Sequence, residues 1–271
     1  MKLLNQKLLV LMVTLVLILL LGGAKQVSAG LFLMSTDGRS NDNNIVASGL
    51  GYSVTTDSLA NIVATPVSSL SAFDVVWINP LGFLDSSIYD VIRTGVANGG
   101  TLEQYVVGGG TLVINIVGNA GNQSDIAPGG VDYDRSTTHN LETFTSPSHA
   151  YLTGLGFGGY SLQEANFSNW GETDHGTLQN IVDGTTTVLS NADGPSFVEY
   201  RWGNGTVILD TLTYGWGFNY DNSSWKTQHN LINYASYVPE PCTLLLLGLG
   251  AVVLRKTADR NNKKYRRRKR S

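Results

Sequence analysis

Three runs of the sequence are apolar almost without interruption: "LFLM" from Leu31, "VVWI" from Val75 and "TLVINIV" from Thr111. A strand with one face in water alternates apolar and polar residues, because successive side chains point to opposite sides of the sheet. A strand covered on both faces shows no such alternation. Runs of this kind, separated by stretches of helical spacing, point to a mostly parallel sheet with helices packed on both sides.

The intervening segments supply those helices. "NDNNIVASGLG" offers an N-cap at Asp42 or Asn43 and a glycine stop. "SSIYDVIRTGVANGG" and "TLEQYVVGGG" are helices ended by glycines, and "YSVTTDS" is a second strand. Later, "VEYRWGNGTVILDTLTYG" is two alternating runs about Gly203, Asn204 and Gly205, which predicts a β-hairpin. "NSSWKTQHNLINYAS" carries Trp225, Asn230, Leu231 and Tyr234 at helical spacing and predicts a closing helix. The Gly- and Asn-rich stretches 118–140 and 154–176 read as long loops. No repeat or linker divides residues 30–237, which are long enough for one hydrophobic core.

The two ends of the chain differ from its body. Residues 1–29 begin with Lys2 and Lys7, continue through the apolar run Leu8 to Leu21 and reach a small-residue site, so a signal peptide is expected to be cut between Ala29 and Gly30. An uncleaved anchor is the alternative. Thr243 to Leu254 form a second apolar run, followed by Arg255, Lys256 and a basic tail. A bilayer span needs about 20 apolar residues, so this run is short for a permanent anchor, and the basic tail would stay cytoplasmic. A nucleic-acid patch is the other reading of such a tail. The body argues against it: residues 30–238 carry five basic and nineteen acidic residues, a formal charge of −14. Such a surface repels nucleic acid and favours cations. The one cysteine, Cys242, leaves no intrachain disulfide available, so the fold rests on its core.

Val238, Pro239, Glu240 and Pro241, followed by a leucine-rich run and an arginine-rich terminus, resemble the PEP-CTERM sorting signal of Gram-negative bacteria. The resemblance implies processing of residues 238–271 by an exosortase, after signal peptidase has acted, and delivery to the cell surface or extracellular matrix. The membrane would be touched only transiently, through the C-terminal hydrophobic helix. Cys242 stands where that pattern more often has a small residue or threonine. The body resembles a second family. "AFDVVWINP", "YVVGGGTLVINIVG", "SPSHAYLTG" and "GNGTVILDTLTYGWG" with a terminal helix are similar to the class I glutamine amidotransferase-like superfamily. That implies an α/β, three-layer flavodoxin-like domain with a mostly parallel sheet and a C-terminal β-hairpin. Catalytic members place a cysteine elbow after the strand matching "LVINIV"; here the sequence reads Gly118, Asn119, Ala120, Gly121. No His-x-Glu pair follows "TVILDTLT" either. The resemblance supports the fold and counts against that chemistry.

Candidate ligand positions follow from this frame. Ligands of open parallel sheets bind beyond the carboxyl ends of the strands, where Asp37, Asn79 and Asn119 fall; ordinary turn chemistry explains the same residues. "NWGETDHG" places Trp170, Glu172, Asp174 and His175 in one loop, suited to a sugar held by stacking and hydrogen bonds, or to a tryptophan packed on the core. Trp216 is open to the same two readings. Asp132 and Asp134 could offer carboxylates to calcium, the one cofactor considered, or form a solvated acidic loop. Ser148 and His149 read as a proline turn leading into a helix cap, and His139 and His229 as structural. The expectation is an exported, non-catalytic module that binds extracellular polysaccharide or cations and no nucleic acid. The alternative is a glycan hydrolase using carboxylates such as Glu172 and Asp174.

Overall fold

The apolar runs become the centre of one large sheet. The computed structural model describes residues 30–36, 40–79, 87–116, 121–135, 138–168, 170, 173–214 and 224–237. In it β1 (Leu31–Ser35), β3 (Val75–Ile78) and β4 (Thr111–Asn115) lie side by side and parallel. The parallel part is completed by β2 (Ser53–Asp57) outside β1 and by β11 (Gly205–Asp210) beside β4. The sheet then continues antiparallel through β10 (Pro195–Trp202), β9 (Thr186–Ser190) and the short β7 (Thr143–Phe144), giving the order β2-β1-β3-β4-β11-β10-β9-β7. The first five positions have the flavodoxin-like order, with its switch point between β1 and β3.

Both faces of the sheet are covered, as the unbroken apolar runs require. Along β4, Leu112 and Ile114 enter one core while Val113 enters the other. The first core receives Leu59 and Ile62 of α2 (Leu59–Ala64), Leu70 of α3 (Val67–Leu70), Tyr89 and Ile92 of α4 (Ser87–Val96) and Leu102 and Val106 of α5 (Thr101–Val107). The second receives Ala47 of α1 (Ser40–Gly49), Tyr151 and Leu152 of α6 (Ala150–Thr153), and Leu231 and Ile232 of α7 (Ser224–Tyr237). The result is a three-layer α/β domain. Each fully buried aliphatic or aromatic side chain contributes roughly 1.5–3 kcal/mol by leaving water. Local signals fix the ends of the helices: α2 starts where Ser58 Oγ accepts the Asn61 N–H at 3.2 Å, and Pro66 follows its end.

The predicted hairpin forms between β10 and β11, with Gly203 at φ 61°. The stretches expected as long loops contain more structure than that. Residues 123–134 fold as the antiparallel pair β5 (Gln123–Ala127) and β6 (Val131–Asp134), and β8 (Thr177–Gln179) joins them in a second, three-stranded sheet. Their apolar residues are few, but Ile126, Val131, Tyr133 and Leu178 all enter the first core. Asp132 and Asp134 therefore belong to a strand and not to a solvated loop. Among the described residues no helix is long and apolar enough to cross a membrane.

Candidate functional site at the strand ends

At the ends of β4 and β11, Asn115 and Asp210 are register partners, and both are buried. Asn115 Nδ2 donates to Asp210 Oδ1 and, at 2.9 Å, to the Leu212 carbonyl. Leu212 N donates to the same Oδ1 at 3.1 Å, while Oδ2 has no hydrogen-bond partner. Burial pushes the Asp210 carboxyl up to about 8, against the opposing pull of the hydrogen bonds from Leu212 and Asn115. Near neutral pH it is mostly the uncharged acid.

Beyond β11 the chain continues as a small ladder. Thr213 N donates to the Thr173 carbonyl at 2.9 Å, Thr173 N to the His139 carbonyl at 2.7 Å, and His175 N to the Thr211 carbonyl at 3.3 Å. These bonds place Asp174, which has no exposed surface, beside Glu142. Asp174 Oδ1 faces His139 Nδ1 at 3.0 Å and accepts from Gly176 N at 3.2 Å; its Oδ2 accepts from Asn191 Nδ2 at 3.0 Å. His139 Nε2 in turn faces Asp193 Oδ2 at 3.1 Å. Glu142 accepts from Ser196 Oγ and shares a hydrogen bond with Asp174. Burial, reinforced by Asp174, drives the Glu142 carboxyl far above the usual range, so Glu142 holds its proton near neutral pH.

The phenols of Tyr151 and Tyr214 complete the neighbourhood. Both are buried, they lie against each other, and both are neighbours of Asp210 and Glu142. Burial holds both phenols protonated. Chemically, the cluster is a set of enclosed hydrogen-bonding groups that donate and accept. Within it the Glu142 and Asp174 carboxyls are buried side by side.

The residues singled out in the sequence are distributed unevenly about this cluster. Asn79 lies at the end of β3, 5% exposed; its N–H donates to Ser35 Oγ at 3.2 Å, tying the ends of β1 and β3 at the switch point. Asp174 and His175 are buried in the ladder, where the His175 carbonyl accepts from the Tyr133 hydroxyl at 2.6 Å. Trp170 is fully buried, with ring centroids 6.0 Å from Phe167 and 6.3 Å from Tyr214, so it packs on the core and offers no face to a sugar. Asp132 accepts from Asp125 N and Asn180 Nδ2, and Asp134 from Gln179 Nε2, so neighbouring amides occupy both carboxylates. Among the described residues no three His, Cys, Asp or Glu side chains are placed to hold a metal ion. Asp37, Asn119, Glu172, Trp216, Ala29 and the segment Val238, Pro239, Glu240, Pro241, Cys242 lie outside the described residues. At α6 the cap is His149 itself, whose Nδ1 accepts from Tyr151 N at 3.3 Å.

Asp210, Glu142, Asn115, Tyr151 and Tyr214 were not singled out by pattern. Asp210 alone had a legible signal, an acid closing the apolar run "TVIL" at a carboxyl strand end.

No protein-family model matches the chain, and no curated protein matches it. Among solved structures it is similar to a cytoplasmic protein, STM3548, from Salmonella typhimurium, with 12% identity over 78% of this chain and 99% of that one and a TM-score of 0.47. A second, the cytoplasmic protein STM1381 from Salmonella typhimurium LT2, has 10% identity over 76% and 98% and a TM-score of 0.47. A ThuA-like protein from Bacteroides uniformis has 12% identity over 81% and 96% and a TM-score of 0.42. At these values none of the three bears on chemistry.

Proposed function

We propose that this is an exported protein of the cell surface or extracellular matrix, processed at its C-terminal segment by an exosortase, whose α/β body binds extracellular polysaccharide without cutting it. The non-catalytic reading is carried by Asp174. Both of its oxygens are engaged by His139, Gly176 and Asn191, and it is buried beside Glu142. The sequence after β4 adds to this, since Gly118, Asn119, Ala120 and Gly121 stand where an amidotransferase-like nucleophile belongs. Export is supported by the sequence of residues 1–29, and sorting by Val238–Pro241, which follow directly on α7. The charge of −14 on the body favours a neutral polymer, or an acidic one bridged by calcium.

The test is a calorimetric titration of residues 30–237 with the extracellular polysaccharide of the producing organism, with and without calcium, while polymer length is followed by size-exclusion chromatography. Saturable heat with unchanged polymer length is the expected result. Shortening of the polymer would establish the hydrolase instead, and absence of heat in both conditions would remove polysaccharide as the ligand. Sorting is checked separately by replacing Val238–Pro241 with alanines, which should leave the tail attached in the mass of the mature protein.

A further inference from the structure

The strand at one end of the large sheet, β2, has an open side. Among the described residues nothing pairs with its outer edge, and it runs for five residues in unshifted register with β1. Thr36 N donates to the Asp57 carbonyl at 2.7 Å, so Asp57 turns its main-chain groups toward β1. Main-chain groups alternate in direction along a strand, so Ser53 and Thr55 turn the same way, while Val54 and Thr56 present N–H and C=O groups to the open side. Folded proteins usually blunt such an edge with lysine, proline, a bulge or a very short strand. The opposite edge of this sheet is of that last kind, since β7 has two residues. β2 has none of these devices.

The chain around this edge is also unlike the rest of the body. Residues 43–73 contain one charged side chain, Asp57, in a body with five basic and nineteen acidic residues. Asp57 is engaged within its own chain, where Oδ1 accepts from Ser58 N and Asn61 Nδ2, each at 2.7 Å. The exposed positions of the stretch are small or apolar, among them Ser53, Thr55, Thr56, Ala60 and Ala64. Ile45 is 62% exposed. Asn43 Oδ1 accepts from Gln228 Nε2 of α7, and Ile45 lies about 200° further round α1, on the side away from α7. Depletion of charged residues marks the core of protein interfaces. A second copy carries the same charge of −14 and is repelled by most of this surface, so the neutral stretch is where it can approach.

The strand is complementary to itself. Laid antiparallel on a second β2 about a two-fold axis through Thr55, Val54 and the partner's Thr56 exchange both N–H···O bonds, as do Thr56 and the partner's Val54. Every outward main-chain group of the two strands is then bonded. The two Thr55 residues face each other as the non-hydrogen-bonded pair, and each Asp57 stands opposite a serine, so no like charges are opposed. We propose that the protein associates with a second copy of itself through β2, joining two eight-stranded sheets edge to edge about a two-fold axis at Thr55. The pairing does not depend on polysaccharide binding, but it would present any polymer-binding surface twice and so raise avidity for a repeating chain.

Cross-linking of the whole chain, kept in mild detergent because of its apolar ends, tests the register. Opposed Cα atoms of a non-hydrogen-bonded pair lie about 4.5 Å apart, within disulfide reach, whereas the two Ser53 residues would be about 13 Å apart. With Cys242 replaced by serine, Thr55→Cys should give a disulfide-linked dimer under mild oxidation, and Ser53→Cys should not. Light scattering of the parent at about 100 μM should give twice the chain mass. Thr55→Lys, which opposes two like charges at the axis, and Thr56→Pro, which removes an outward N–H, should each weaken the dimer about tenfold or more with an unchanged circular dichroism spectrum. Should Thr56→Pro fail to fold, Thr55→Lys, at an exposed position, carries the comparison. A monomeric parent overturns the proposal and leaves the edge to a strand of a different protein or to water. Equal cross-linking at positions 53 and 55 also overturns it, as does a dimer that the folded variants leave intact, its contact then lying elsewhere in the chain.

Discussion

His139 and Asp174 are joined twice: their backbones pair as an antiparallel bridge, and His139 Nδ1 stands 3.0 Å from Asp174 Oδ1. The Asp174 side chain thereby holds together three segments, through His139, Gly176 and Asn191. Asp174→Ala would leave each of these buried or half-buried donors without its acceptor. A loss of about 3 kcal/mol or more is expected in urea unfolding, and Asp174→Asn, which keeps one acceptor oxygen, should cost less.

The pH dependence of stability is expected to run opposite to ordinary acid denaturation over part of the range. The Asp210 carboxyl is raised from 3.8 to about 8 in the folded protein, so the folded state holds a proton that the unfolded chain releases. Its contribution is complete below pH 4 and is lost as pH rises through about 8. The slope between these limits is at most about 1.4 kcal/mol per pH unit for one group. Urea midpoints measured at pH 5 and pH 8 should therefore fall with rising pH, and Asp210→Asn should flatten the dependence. A midpoint that rises across that interval in the parent protein would contradict the assignment.

How much of this could be read from sequence depended on whether the information was local. The buried strands β1, β3 and β4 announced themselves because covering both faces removes the alternation of polar residues. The hairpin at Gly203 was legible through its turn residues. The second sheet was not: β5, β6 and β8 are short, and the residues they bury are interleaved with Asp125, Asp132 and Asp134, so the stretch reads as polar loop. The acid cluster was invisible for a different reason. Glu142, Asp174 and Asp210 come from three separate segments, and only the ladder after β11 brings them together. Asp174 was noticed for its neighbours Trp170 and Glu172, yet its structural partners are His139, Asn191 and Glu142.

The hairpin offers a test of backbone fit. A Cβ on Gly205 would come within 2.2 Å of the Val106 carbonyl oxygen and 2.3 Å of that of Gly110, both main-chain atoms that cannot rotate aside. Gly203 has φ 61° and would bring a Cβ within 2.7 Å of Val107 Cα. Gly205→Ala should force β11 away from α5 at a cost of about 1–3 kcal/mol, while Gly109→Ala, which meets nothing within 4 Å, should pay only for its φ of 117°. Thermal unfolding of the two variants gives the comparison directly.

Glu142 tests directly whether the buried acid pair it forms with Asp174 is structural or catalytic. Held protonated by burial, it donates to Asp174 while accepting from Ser196 Oγ. A glutamine has the same shape, can donate through its amide N–H to Asp174 and can accept from Ser196 through its carbonyl. Glu142→Gln should therefore cost less than about 1 kcal/mol, whereas Glu142→Ala, which strands both partners, should cost about 2–4 kcal/mol. The glutamine variant should also bind polysaccharide as the parent does and lose part of the fall in stability with rising pH, because its side chain no longer releases a proton on unfolding. A general acid could not be exchanged in this way: an enzyme relying on Glu142 would lose turnover in the glutamine variant while keeping its fold.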